Sequence, residues 1–79
     1  MNYTADQEYT IEVFDGQHWI GPRRFFSATR SSAIRAARKI HRATGGTRSR
    51  VYAASNARIG YTGPAFRLAR DGSETLWYQ

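Results

Sequence analysis

The side chains able to act as acid, base, nucleophile or metal ligand are few and scattered: His18 and His41, the adjacent Ser31 and Ser32, and carboxylates at Asp6, Glu8, Glu12, Asp15, Asp71 and Glu74. A zinc or catalytic metal site needs three or four ligands brought together. Two histidines with no third ligand at useful spacing do not supply them, so no metal and no other cofactor is expected. A serine nucleophile would need a histidine base in reach and a carboxylate to orient it. Ser31 and Ser32 stand nearly three helical turns from His41, at about 3.6 residues per turn, too far for one site. The acids do not cluster either. Asp15 and Asp71 each precede a glycine and read as turn formers, and Glu12 and Glu74 are expected to pair with arginines across a sheet. Gly45-Gly46 follows a helix pattern instead of opening one, so it is no phosphate loop. These residues do not make an enzyme.

What the sequence has in excess is arginine. Among the 79 residues, 12 are basic and 6 acidic, a net charge of +6, and Lys39 is the sole lysine. The guanidinium is a planar fork of donors that grips carboxylate or phosphate bidentately and stacks on rings and bases. An anionic partner is the first expectation; a solvated basic face with no ligand is the plainer one. The chain has no cysteine, which removes disulfides and thiolate metal sites and suits an intracellular protein. No apolar run approaches the roughly 18–20 residues that span a bilayer, and the polar start does not read as an export signal.

The elements that must carry these arginines follow from periodicity. A hydrophobic fraction of 41% with 14% aromatics suits one folded domain over residues 1–79, with residues 1–7 a flexible lead-in. From Glu8, Tyr9, Ile11 and Val13 alternate with Thr10, Glu12 and Phe14, the period of a half-buried strand. Asp15-Gly16 then closes a hairpin onto a return strand from His18 toward Ala28, where Gly21-Pro22 calls for an edge strand or a bulge. Around Thr29 the period becomes 3.6. Ala33, Ile34, Ala37, Ile40, Ala43 and Thr44 make a stripe, Thr29 or Ser31 caps its start, and Gly45-Gly46 ends it. Further strands are expected over residues 49–55, over 58–70 as one broken strand after a turn at Ser55-Asn56-Ala57, and over 74–78 after the Asp71-Gly72 turn. The fold class is therefore α+β: an antiparallel sheet of about five strands in the order β-β-α-β-β-β, with one α-helix packed on one face.

On that frame Arg35, Arg38, Lys39 and Arg42 form a ridge along the helix, with Arg30 near its start, and Arg23 and Arg24 sit on the second strand. These seven are the first candidates for partner contact. Arg50, Tyr52, Arg67 and Trp77 are the secondary ones, and Arg48, Arg58, Trp19 and Tyr61 lie among them. Cations interleaved with rings are what single-strand binders use. Phe25, Phe26, Phe66, Leu68 and Leu76 are expected in the core, while Trp19, Tyr52 and Trp77 could serve either role. Two-helix RNA-recognition folds, double-stranded-RNA domains and helix-turn-helix units do not fit a single helix.

The stretch from Arg24 to Gln79 resembles the small phage-encoded anti-CRISPR proteins that act on type I systems. The likeness is carried by the strand-to-helix run Phe25-Phe26-Ser27-Ala28-Thr29-Arg30-Ser31-Ser32-Ala33-Ile34-Arg35-Ala36-Ala37. It continues in the closing run Phe66-Arg67-Leu68-Ala69-Arg70-Asp71-Gly72-Ser73-Glu74-Thr75-Leu76-Trp77. The resemblance implies a monomeric inhibitor in the cytoplasm of a bacterial host. Such a protein would bind the RNA-guided surveillance complex (Cascade), at a backbone subunit, and keep target DNA out, with contacts to DNA or RNA phosphates open to it. The Ile59 to Pro64 segment and the extra opening hairpin depart from that layout. The alternative expectation is a general basic nucleic-acid-binding accessory protein of phage or bacterium. A structural protein that self-associates through the His18 to Phe26 edge is a third.

Overall fold

The computed structural model of the chain describes residues 6–78. Strand β1 (Gln7–Phe14) buries Tyr9, Ile11 and Val13 on one face and turns Glu8, Thr10, Glu12 and Phe14 to the other. The first five residues of the expected lead-in lie outside the described residues, and Gln7, its last, already pairs with Ser27. The Asp15 carboxylate accepts from the N–H groups of Gln17 and His18 at 2.8 Å each and turns the chain into β2 (Trp19–Ser27). Both alternatives read from Gly21-Pro22 hold. β2 is an edge strand, and its register against β1 shifts between the pairs Ile11 with Arg23 and Val13 with Ile20. Gly21 takes φ 113°, where a Cβ would stand 2.9 Å from the Ile11 carbonyl oxygen, so glycine alone fits the bulge.

Helix α1 (Arg30–Ala43) starts as its sequence dictates. Thr29 is extended, its hydroxyl accepts from the Ser32 N–H, and the Ser32 hydroxyl accepts from the Thr29 N–H, each at 3.2 Å. This reciprocal capping satisfies donors that the first turn leaves free. Ser27 adds a hydrogen bond from the last residue of β2 to Ser32. The face turned to the sheet is a spine of Ala33, Ala37 and His41, all buried, with Ile34 and Ile40 flanking it. Small side chains every fourth residue let the helix lie close on the sheet.

Strand β3 (Arg48–Ala53) pairs antiparallel with β1, which leaves β1 between β2 and β3. The turn expected at Ser55-Asn56-Ala57 is instead a second, short helix, α2 (Ala54–Arg58). Its five residues include no β-branched side chain to favour extension. The Asn56 carbonyl oxygen accepts from the N–H groups of Ile59 and Tyr61. The broken strand expected over 58–70 therefore reduces to β4 (Phe66–Leu68), and Ile59, on no sheet face, is 69% exposed. The last strand is shorter as well: β5 (Glu74–Thr75) ends at Leu76, which takes φ 63°, a rare conformation for a bulky residue, and the chain runs on beside β4 until the Tyr78 N–H donates to the Ala65 carbonyl.

The result is a five-stranded antiparallel sheet ordered β2-β1-β3-β4-β5 with α1 across one face, the α+β architecture read from the sequence. The core lies between them: Ile11, Val13, Val51, Phe66 and Leu68 from the sheet against Ala33 and Ala37 from the helix. Phe66 is fully buried, and a ring so placed contributes about 1.5–3 kcal/mol over exposure. Two expected core residues are not there. Phe26 is 55% exposed because its register opposite Glu8 puts it on the uncovered face, and Leu76, at the positive φ, is 52% exposed. Trp77 packs inward instead, its ring stacked on Phe66 at 4.5 Å between centroids.

Candidate nucleic-acid interface

The arginines divide into groups that the fold separates. On α1, positions 35, 38, 39 and 42 fall at i, i+3, i+4 and i+7, so Arg35, Arg38, Lys39 and Arg42 share one solvent-facing stripe around a shallow hollow. Among the described residues none of the four has a carboxylate within ion-pair distance, as only Arg24–Glu8 and Arg50–Glu12 make such pairs. One member also holds the fold: the Arg38 Nε–H donates to the Gly72 carbonyl at 2.7 Å and ties the β4–β5 turn to the helix. In that turn the Asp71 carboxyl is held below the usual carboxylate range. The causes, largest first, are hydrogen bonds from the Ser73 hydroxyl and backbone N–H, with the Arg38 charge a smaller contribution.

Arg30 does not join the ridge. Its guanidinium lies 4.4 Å from the centre of the Trp77 ring, so Arg30, Trp77 and Phe66 form a stack at the rim of the core. Trp77 also donates its Nε1–H to Glu74 at 2.6 Å, which takes the carboxylate expected to pair with an arginine. This secondary candidate thus works in packing. Arg23 and Arg24 are exposed on the β2 edge, Arg23 in register with Ile11 and Arg24 with Thr10, and Arg24 meets Glu8 at 3.7 Å.

The remaining group occupies the sheet face that α1 leaves open. Register aligns Phe14 with both Trp19 and Arg48, Glu12 with Arg50, Arg50 with Arg67, and Thr10 with Tyr52, so these side chains share one surface. The Arg50 guanidinium sits 3.8 Å from the centre of the Trp19 ring while its Nε–H donates to Glu12 at 2.6 Å. Arg48 lies over Phe14 at 4.6 Å and near Trp19 at 5.5 Å. Arg67 is exposed and directly opposite Arg50, and of the two only Arg50 has a carboxylate partner, Glu12, among the described residues. Trp19, Arg48, Arg50, Tyr52, Pro64 and Arg67 line a groove of about 360 Å³. Of the secondary candidates, Arg50, Tyr52 and Arg67 are therefore brought together. Phe14, which was not singled out, belongs with them, and its signal was the polar-face position in β1.

Tyr52 is also one wall of a second cleft, of about 190 Å³, lined by Glu8, Tyr9, Thr10, Ala53, Ala57 and Tyr61 among others. Burial pushes the Tyr9 phenol above its usual range. Tyr61 is braced by stacking on Tyr78 at 3.8 Å and by donating its hydroxyl to the Pro64 carbonyl. The sequence does not reveal this cleft, because one side of it is formed by α2, where a turn is expected, and by the following loop, where a strand is expected.

The histidine that could have served as a base is occupied in the core. His41, 1% exposed, accepts the Ser49 hydroxyl proton at Nδ1 (2.6 Å) and donates Nε2–H to the Arg70 carbonyl (3.3 Å). The tautomer follows from the partners, since a carbonyl can only accept. Ser49 is buried too, so the pair fastens α1 to β3. Among the described residues no group of three or more His, Cys, Asp or Glu could hold a metal ion, and no helix is long and apolar enough to cross a membrane. Comparison with known families, characterised proteins and solved structures finds no match for the chain.

Proposed function

We propose that this chain is a small non-enzymatic binding protein that engages nucleic acid, or an assembly displaying it, through its arginine-lined surfaces. The observation that supports this most is the ridge of Arg35, Arg38, Lys39 and Arg42: four cations on one face of a rigid helix, none of them in an ion pair among the described residues. Such a ridge gains by meeting phosphates, because each contact releases condensed counterions.

The test is a fluorescence titration of a labelled 12-nucleotide single strand at several salt concentrations, with wild type and the variant Arg35→Ala/Lys39→Ala/Arg42→Ala. Arg38 is kept because it holds the Gly72 carbonyl. Three lost phosphate contacts flatten the slope of log affinity against log salt by about 2, from about 0.7 per contact. An unchanged slope in a folded triple variant removes the ridge from the interface.

A second reading is an inhibitor of a type I RNA-guided surveillance complex, as the sequence resemblance implies. It is favoured by the placement of two basic surfaces on opposite sides of one sheet. A chain held by guide-RNA or DNA phosphates on one surface would still offer the other to an acidic subunit. Co-elution with a nuclease-treated complex, together with loss of target binding, supports it. Absence of co-elution leaves direct nucleic-acid binding.

A further inference from the structure

The open sheet face offers more than charge. We infer that it is a single-strand binding face in which phosphates run along the Arg48, Arg50 and Arg67 groove and one unpaired base enters the cleft beside Tyr52. The inference rests on the nucleic-acid reading above and gives it a ligand form.

Three observations carry it. The groove presents three arginines, Arg48, Arg50 and Arg67, and among the described residues only Arg50 is paired with a carboxylate, Glu12, so Arg48 and Arg67 are left for an anionic ligand. Arg48 and Arg50 are two residues apart on one strand, about 6.6 Å by strand rise, so they stand as successive charges along a path. The Arg48 and Arg50 guanidinium groups rest over the Phe14 and Trp19 rings at 4.6 and 3.8 Å, which restrains both for an incoming ligand.

The cleft differs from the groove in a way that selects the base over the phosphate. Its lining is mostly apolar, with three tyrosines and three alanines, and its charged group is Glu8. A carboxylate repels phosphate and accepts N–H from a base edge. The volume of about 190 Å³ suits one small planar ring system; a cavity of about 150 Å³ takes a benzene ring. Tyr52 lines both spaces, so a strand lying in the groove passes the mouth of the cleft. A duplex, whose bases are stacked and paired, cannot use it.

The experiment compares three 12-mers of equal charge per strand with the full chain: oligothymidine, the same backbone with abasic sites, and a duplex of the thymidine strand. A base in the cleft beside Tyr52 makes oligothymidine bind about tenfold or more tighter than the abasic strand, the scale of a stacked base. Tyr52→Leu, which keeps an apolar side chain, removes most of that difference. Equal binding of oligothymidine and abasic strand overturns the base cleft and leaves phosphate binding standing. Tighter binding of the duplex overturns the single-strand assignment. Binding to none of the three overturns the nucleic-acid reading itself.

Discussion

Gly46→Ala puts the packing argument to its sharpest test. Gly45 and Gly46 look alike in the sequence, both ending α1, but the structure gives them different tasks. Gly45 has φ 71° and open space around the position of a Cβ, so its need for glycine is conformational. At Gly46 a Cβ would lie 2.6 Å from His41 Nδ1, 2.8 Å from His41 Cε1 and 2.8 Å from Val13 Cγ1. Both neighbours are buried, so neither yields freely. Overpacking of this kind costs about 1–3 kcal/mol. If the ring moves, the buried Ser49 hydroxyl loses its partner, a further cost of about 1–3 kcal/mol. Reduced freedom of the unfolded chain returns about 0.4–1 kcal/mol. The net loss is about 1–5 kcal/mol, against a total of about 4–12 kcal/mol for a chain of this length. Urea unfolding reads it directly: with a slope near 1 kcal/mol/M, the midpoint falls by about 1–5 M. Gly45→Ala is the control, losing about 1–2 kcal/mol from the left-handed conformation alone, and Gly45→Asn recovers part of it. A Gly46→Ala protein within about 0.5 kcal/mol of wild type, the usual surface range, would refute the account of His41 as a packed fastening.

The other expected outcomes concern single contacts. Thr29→Ala removes the cap of α1 and should lower stability by about 0.5–2 kcal/mol in the same unfolding assay. A double-mutant cycle on Arg30→Ala and Trp77→Leu should return a coupling of about 0.5–1 kcal/mol, the size of an exposed cation–ring contact; a coupling of zero would return Arg30 to the candidate contact surface. Asp15 and Asp71 both have lowered pKa values in the fold, Asp15 through hydrogen bonds from the backbone N–H groups of His18 and then Gln17, Asp71 chiefly through Ser73. A lowered folded value means that the contribution is present above the unfolded aspartate range and is lost as pH falls through the folded values. Asp15→Asn and Asp71→Asn should therefore flatten the decline in thermal midpoint between neutral pH and acid; an unchanged profile in the double variant would contradict the turn assignment.

The parts of the molecule legible in the sequence are those where one local signal acts alone. The alternation from Glu8 to Phe14, the Asp-Gly turns, the Thr29 cap and the bulge at Gly21-Pro22 depend on neighbours within a few residues, and the structure has each of them. The charged ridge was legible for the same reason, as helix spacing alone aligns residues 35, 38, 39 and 42. Where two signals compete, tertiary context decides. Phe25 and Phe26 are adjacent and equally apolar, and only the pairing register with Tyr9 and Glu8 tells which turns inward. His41 completes the spine of Ala33 and Ala37 at a spacing of four, yet a histidine enters a core only when a partner waits there, and Ser49 lies on a different element. The open-face groove needs the order β2-β1-β3-β4, which brings Trp19, Arg50 and Arg67 together from three strands.

The central claim, that the arginine surfaces take nucleic acid, is tested most directly by the affinity of the wild-type chain for a single-stranded 12-mer measured from low to physiological salt. The account predicts clear binding at low salt that weakens linearly in log–log form with a slope of about −2 or steeper, corresponding to three or more phosphate contacts. Failure to bind at low salt, or binding with a slope near zero, would contradict it.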